Sequence, residues 1–150
     1  MAIQTITIHI LARTEFADSV RWYDTQQEGL GQQLEEAVRK KLNSLCENPH
    51  QGKMIRNGYR EILIDRRFPF QIVFRLLNND QALYISSIHH TSKSTRRKYR
   101  SSHWDDSDFV AEMERREEDY RTGQVKMHSI EEFQEAGRRA IEEASKGANE

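Results

Sequence analysis

The side chains best suited to chemistry are three arginines spaced along the middle of the chain, Arg60, Arg67 and Arg75, and the adjacent histidines His89 and His90. Guanidinium groups stabilise negative charge as it develops on an oxygen. Imidazoles exchange protons near neutrality, since their ordinary pKa is about 6.5. Each has a plainer reading as well. Arginines on strands are commonly solvated or paired with carboxylates, and paired histidines at a strand end are commonly structural. No metal or cofactor is expected. The six histidines and the lone Cys46 show neither His-Glu-x-x-His nor Cys-x-x-Cys spacing. Gly29-Leu30-Gly31 lacks the third glycine of a dinucleotide loop and follows a helical pattern instead of a strand.

The elements that must position these residues are legible as changes of period. Thr5 to Ile10 alternates polar and apolar residues, which predicts a strand with one buried face and His9 on its polar side. Phe16, Val20 and Tyr23 recur at helical spacing. A stronger stripe of Leu30, Leu34, Val38, Leu42 and Leu45 follows and stops at Asn48-Pro49, so the two form a helical hairpin. Cys46 falls in that stripe as a small, half-buried residue. Residues 60–64, 70–76 and 83–88 are strand-like, with Asn78-Asn79-Asp80 as a turn. Phe70, Ile72, Phe74 and Leu76 share the face that packs on the hairpin; Gln71, Val73 and Arg75 share the other. The fold class is α+β, in the order β-α-α-β-β-β, with a helical hairpin packed on an antiparallel sheet.

The charge is split along the chain. Residues 1–100 hold 16 Lys and Arg against 10 Asp and Glu, and residues 101–150 hold 7 against 14. A basic module calls for a polyanionic partner, and here the neutralising charge follows on the same polypeptide, as an activity and its own inhibitor would be arranged. Two modules are expected, 1–100 and 101–150. Between them lies a basic stretch with Lys93, Arg96, Arg97, Lys98 and Arg100, and then Asp105 and Asp106 open the acidic part. Phe109, Val110, Met113 and Tyr120 fit an amphipathic helix ended by Thr122-Gly123. Val125-Lys126-Met127 predicts a short strand. Ser129-Ile130-Glu131-Glu132 has the spacing of a capping box opening a last helix with Ile130 and Phe133. Such helices are marginal alone, so this extended and helical segment is expected to order by docking on the rest of the chain. No run of about 18 apolar residues is present and the start lacks a signal-peptide pattern, so no membrane and a cytoplasmic location are expected.

Trp22-Tyr23, Gly29-Leu30-Gly31, Asn48-Pro49, Tyr59-Arg60, Arg67-Phe68-Pro69-Phe70 with the strand to Arg75, and Ile88-His89-His90 occur in the order found in one family. Across about Ile6 to Tyr99 the chain resembles the bacterial toxins of the RelE/ParE superfamily, and within it the ParE-type plasmid-stabilisation branch. From about Asp108 to Ala144, Phe109-Val110-Ala111-Glu112, Arg115-Arg116, Tyr120-Arg121-Thr122-Gly123 and His128 to Glu132 make the chain similar to the C-terminal half of addiction-module antitoxins.

The resemblance implies the toxin of a type II toxin–antitoxin module, with antitoxin, cognate or fused, as its partner. A ParE-type toxin inhibits DNA gyrase by direct binding and performs no chemistry. A RelE-type toxin is a ribosome-dependent mRNA endoribonuclease, in which the arginines would stabilise the developing charge and His89, His90 or Tyr99 would move protons. A third class, a nucleic-acid-binding module with an acidic regulatory tail, accounts for the charge split. It leaves unexplained the apolar anchors Phe109, Val110, Met113, Tyr120, Val125, Met127, Ile130 and Phe133, which suit a hydrophobic groove. An antitoxin is usually a separate protein, so an engineered tether, a natural fusion and an unrelated extension all stay open. A homodimer stays open too, because a tethered tail reaches its own toxin or a neighbour's.

Overall fold

The computed structural model describes residues 3, 5–55, 58–77, 79, 81–90 and 107–148. The basic stretch from Lys93 to Arg100, with Tyr99, and the pair Asp105 and Asp106 lie outside these residues. The chain runs β1 (Thr5–His9), α1 (Ile10–Gln26), α2 (Leu30–Glu47), β2 (Lys53–Met54), β3 (Tyr59–Leu63), β4 (Phe70–Leu77), β5 (Ala82–His90), α3 (Ser107–Thr122), β6 (Met127–His128) and α4 (Ile130–Ala148). The strands form one sheet in the order β2-β3-β4-β5-β1-β6. Neighbours are antiparallel except β1, which joins β5 in parallel with Ile8 opposite Ile85. That arrangement follows from the connection: a helical hairpin separates β1 from the meander and lets the first strand come back beside the last with the same sense.

The expected α+β architecture is the one observed, with the hairpin on one sheet face. Phe70, Ile72 and Phe74 of β4, Leu83, Ile85 and Ile88 of β5, and Ile8 of β1 meet Ala12, Phe16 and Val20 of α1 and Leu34, Val38, Leu42 and Leu45 of α2. Asp24 fixes the hairpin, its Oδ1 accepting from the Gly29 and Gly31 amides at 3.0 Å each. On the other sheet face Tyr59, Val73 and Met113 form a second, smaller cluster against which Phe109 and Val110 pack. Between Val73 and Phe74 the register slips, so Val73 faces Ser87 while Phe74 faces Ile85, and Ser86 is the extra residue of a bulge.

The C-terminal segment wraps the sheet from face to face. α3 lies over β5 on the side away from the hairpin, β6 pairs with the end of β1, and α4 packs along α1. The strand contact falls later than the sequence pattern predicted: Met127 and His128 pair with His9 and Ile8, whereas Val125 and Lys126 precede the ladder. Val125 and Met127 belong to neither apolar cluster. The pattern failed because a two-residue pairing is too short for alternation to set its register. The capping box is present as expected. The Glu132 amide donates to Ser129 Oγ at 3.2 Å, and the Ser129 amide donates to Glu132 Oε1 at 3.2 Å. The bond from the Ser129 amide, with that from His128, holds the Glu132 carboxyl down to about 2.

α4 docks through Phe133, whose ring stacks on Phe16 at 4.2 Å, and through Ala136, Ala140 and Ala144, all buried. Gly137 sits at the closest approach: a Cβ there would lie 2.8 Å from Phe16 Cε2. The Phe16 ring is held on its other side by the core, so it cannot move aside cheaply. Gly137→Val gains only a few tenths of a kcal/mol of helix propensity against about 1–3 kcal/mol of overpacking. It is expected to lower the melting temperature by several degrees in a thermal scan.

Candidate functional site

The face of the sheet turned away from the hairpin carries most of the polar side chains that the core excludes. Tyr59, Val73, Arg75, Tyr84, Ser86, Ser87, His89 and His9 lie there, and α3 covers them. The helix fits because its apolar residues Phe109, Val110 and Met113 meet Tyr59 and Val73. Farther along, Tyr120 rests on Tyr84 with ring centroids 4.6 Å apart. Both buried tyrosines donate to carbonyls of α3, Tyr59 to Met113 at 3.5 Å and Tyr84 to Arg116 at 3.0 Å.

The centre of the contact is Arg116, whose side chain is 7% exposed. β1 ends opposite Ile85, so beyond that point the adjacent edge of β5 has no strand beside it. Glu15 of α1 fills the place, accepting from the Ile88 amide at 3.2 Å and from Ser87 Oγ at 3.0 Å. Arg116 meets the carboxylate with two nitrogens, Nη1 to Oε1 at 3.0 Å and Nη2 to Oε2 at 2.9 Å. Nη1 also donates to the Ser86 carbonyl at 2.8 Å, and Nε donates to Glu112 at 2.7 Å. Burial alone would pull the guanidinium down, but the hydrogen bonds and charge of Glu15, and then of Glu112, outweigh it and raise its pKa above the ordinary arginine value.

An ion pair and a hydrogen bond to a carboxylate flank this centre. Arg75 pairs with Glu117 while its guanidinium lies 5.5 Å from the Tyr59 ring centre. His9 Nδ1 accepts from the Leu11 amide at 3.0 Å, capping α1. The ring proton is therefore on Nε2, which donates to Asp119 at 3.0 Å.

Of the five candidate residues, the structure brings two to this face. Arg75 and His89 are on it. Arg60 lies off it, donating to the His50 carbonyl at 3.1 Å; Arg67 lies 4.9 Å from the Phe68 ring centre; and His90 meets the Phe70 ring at 5.1 Å. The cross-strand register accounts for the separation, since Arg75 pairs with Tyr59, so the next residue, Arg60, points the opposite way. His89 makes an edge contact with Phe109, and its Nδ1 lies 3.3 Å from Ser87 Oγ. Because Ser87 gives its proton to Glu15, it accepts from His89, and the serine is not set up as a nucleophile. Among the described residues no group of three or more His, Cys, Asp and Glu is disposed to hold a metal ion. No helix among them is long and apolar enough to cross a membrane.

Sequence reasoning left His9, Glu15, Tyr84, Ser86 and Ser87 without a role and saw Arg116 only as half of an Arg-Arg pair. A signal was present for one of them. Arg116 follows Phe109 and Met113 at helical spacing, which places it on the docking stripe.

A family pattern described as the ParE toxin of type II toxin-antitoxin systems, parDE, matches residues 6–95, a span that takes in the hairpin and β2 to β5. The chain belongs to the ParE toxin family. No curated protein matches it significantly. The matched span contains Glu15, Tyr59, Arg75, Tyr84 and His89, so one side of the covered face belongs to the toxin. The covering helix, β6 and α4 lie beyond the match.

Burial pushes the Tyr59 and Tyr84 hydroxyls well above the ordinary value of 10.0. Below about pH 10 both folded and unfolded chains keep these protons; above it only the unfolded chain ionises, so stability falls as pH rises. Each tyrosine is expected to cost about 1.4 kcal/mol per pH unit there. Denaturant midpoints measured at alkaline pH should fall in the wild type and fall less steeply in Tyr59→Phe/Tyr84→Phe.

Proposed function

We propose that this ParE toxin is held neutralised by its own C-terminal segment, residues 101–150, acting as a fused antitoxin on the toxin module, residues 1–100. The observation that carries the reading is α3, seated on the sheet face of the toxin with Met113 in an apolar cluster and Arg116 buried on Glu15. A tail that only tuned net charge would not need Phe133 stacked on Phe16 or Tyr120 on Tyr84. Burying a phenyl ring contributes roughly 1.5–3 kcal/mol, whereas an exposed ion pair is typically worth under about 1 kcal/mol.

The target most consistent with this face is DNA gyrase, met by protein contact. Cleavage of RNA calls for several cations around one phosphate, yet among the described candidates only Arg75 is on the covered face. Glu15 adds a negative charge there, and the two tyrosines stay protonated at neutral pH. His89, together with Arg75, is what on that face favours the alternative, ribosome-dependent mRNA cleavage.

Expression of residues 1–100 is expected to arrest growth while the full chain is tolerated, with rescue by residues 101–150 supplied separately. Equal toxicity from both, or none from either, rejects neutralisation by the tail. In the arrested cells DNA supercoiling is expected to fail with mRNA intact; cleaved mRNA and normal supercoiling would assign the ribosome instead. Phe133→Ala in the full chain should release more toxicity than neutralising Asp105, Asp106 and Asp108 together, because cavity formation at a buried phenylalanine costs about 3–5 kcal/mol.

A further inference from the structure

We infer that Glu15, Ser86 and Ile88 form a guanidinium socket on the toxin, and that Arg116 is the residue by which the toxin face selects the helix that covers it. The inference rests on the neutralisation reading only in taking α3 as the ligand of that face.

The socket is built from toxin residues alone. The Ser87 hydroxyl and the Ile88 amide hold Glu15 Oε1 at 3.0 and 3.2 Å, and both belong to β5. Because β1 stops opposite Ile85, the Ser86 carbonyl points toward the same opening. An incoming side chain therefore meets two carboxylate oxygens and one carbonyl oxygen in a fixed arrangement, three acceptors that call for several donors at once.

A guanidinium fits this demand and an ammonium does not. Arg116 spends Nη1 on both Glu15 and Ser86, Nη2 on the second Glu15 oxygen, and Nε on Glu112 of its own helix. The planar fork makes the pair bidentate while leaving Nε for the helix-internal acceptor. A lysine has its three donors on one atom and cannot span the same points.

The other arginine–carboxylate pairs described between the two parts are more open to water. The side chains of Arg75 and Glu117 are 30% and 23% exposed, and those of Arg21 and Glu143 are 38% and 58% exposed. Screened pairs of that kind steer encounter more than they discriminate. Arg116 discriminates by what its loss leaves behind. A helix offering an apolar residue at this point would leave Glu15 Oε2 and the Ser86 carbonyl covered without the donors that Arg116 brings, and unpaired buried polar groups are what makes a wrong partner costly.

The test uses the full-length chain and reads docking directly, by amide hydrogen exchange of α3, with α4 and the β4–β5 pair as internal reporters of the fold. Arg116→Ala and Arg116→Lys are both expected to speed exchange in α3 by on the order of 30-fold or more, with β4 and β5 unchanged. Arg121→Lys, at an exposed pair with Glu118, should leave every segment as in the wild type. Wild-type protection of α3 in Arg116→Lys would overturn the socket, since any cation would then serve. Glu15→Gln, which keeps its size and an acceptor for Ser87 and Ile88, gives an independent reading should the Arg116 variants lose protection everywhere. It is expected to loosen α3 by about tenfold, and unchanged protection would overturn the inference. Loosening of α3 without growth arrest would keep the socket and reject the neutralisation reading.

Discussion

A parallel strand that ends early leaves its neighbour's edge open, and the arrangement of the whole covered face follows from how that opening is closed. β1 reaches only as far as Ile8 opposite Ile85, while β5 continues to His90. Backbone groups left without a strand must find other partners or lose hydrogen bonds that water would have supplied. Here side chains replace the missing strand. Glu15 supplies the acceptor for the Ile88 amide, and Arg116, from the far end of the chain, supplies the donor for the Ser86 carbonyl. The bulge at Ser86 belongs to the same solution, because the extra residue brings Ser86 and Ser87 together at the opening.

The two faces of the sheet are covered by different chemistry. On the hairpin side α4 extends the main core, with Phe133 joining the cluster that holds Phe16, Leu34 and Ile85, and alanines allowing close helix approach. On the opposite side the apolar cluster is small, and polar contacts from Arg75, His9, Tyr59 and Tyr84 surround it. Close packing gives the first contact its strength, and directional hydrogen bonds give the second its geometry.

Periodicity exposed the hairpin stripe from Leu30 to Leu45, the two faces of β4, the inward-facing apolar residues Phe109, Met113 and Phe133, and the capping box at Ser129. These are local patterns with one buried side, which is what alternation measures. The same method could not show that Arg60 and Arg75 point to opposite faces, because that depends on the register between β3 and β4. Nor could it find the partner of Glu15, which is 101 residues away in sequence. His9 was legible as a polar-face residue but not as a cap and a hydrogen-bond donor to a carboxylate, since those roles come from the helix that follows it and from Asp119.

Between α3 and β6 the chain turns at Gly123, whose φ of +69° suits glycine, and an added Cβ there would meet nothing within 4 Å. This corner, residues 123–126, is largely exposed and joins two helices seated on opposite sides of one sheet. Each helix is thereby kept at high local concentration over its own site while the other is bound, a gain in avidity that needs no additional contact. The corner's length and path set that gain. Lengthening it would weaken the hold of both helices together while leaving every atom of their binding surfaces unchanged.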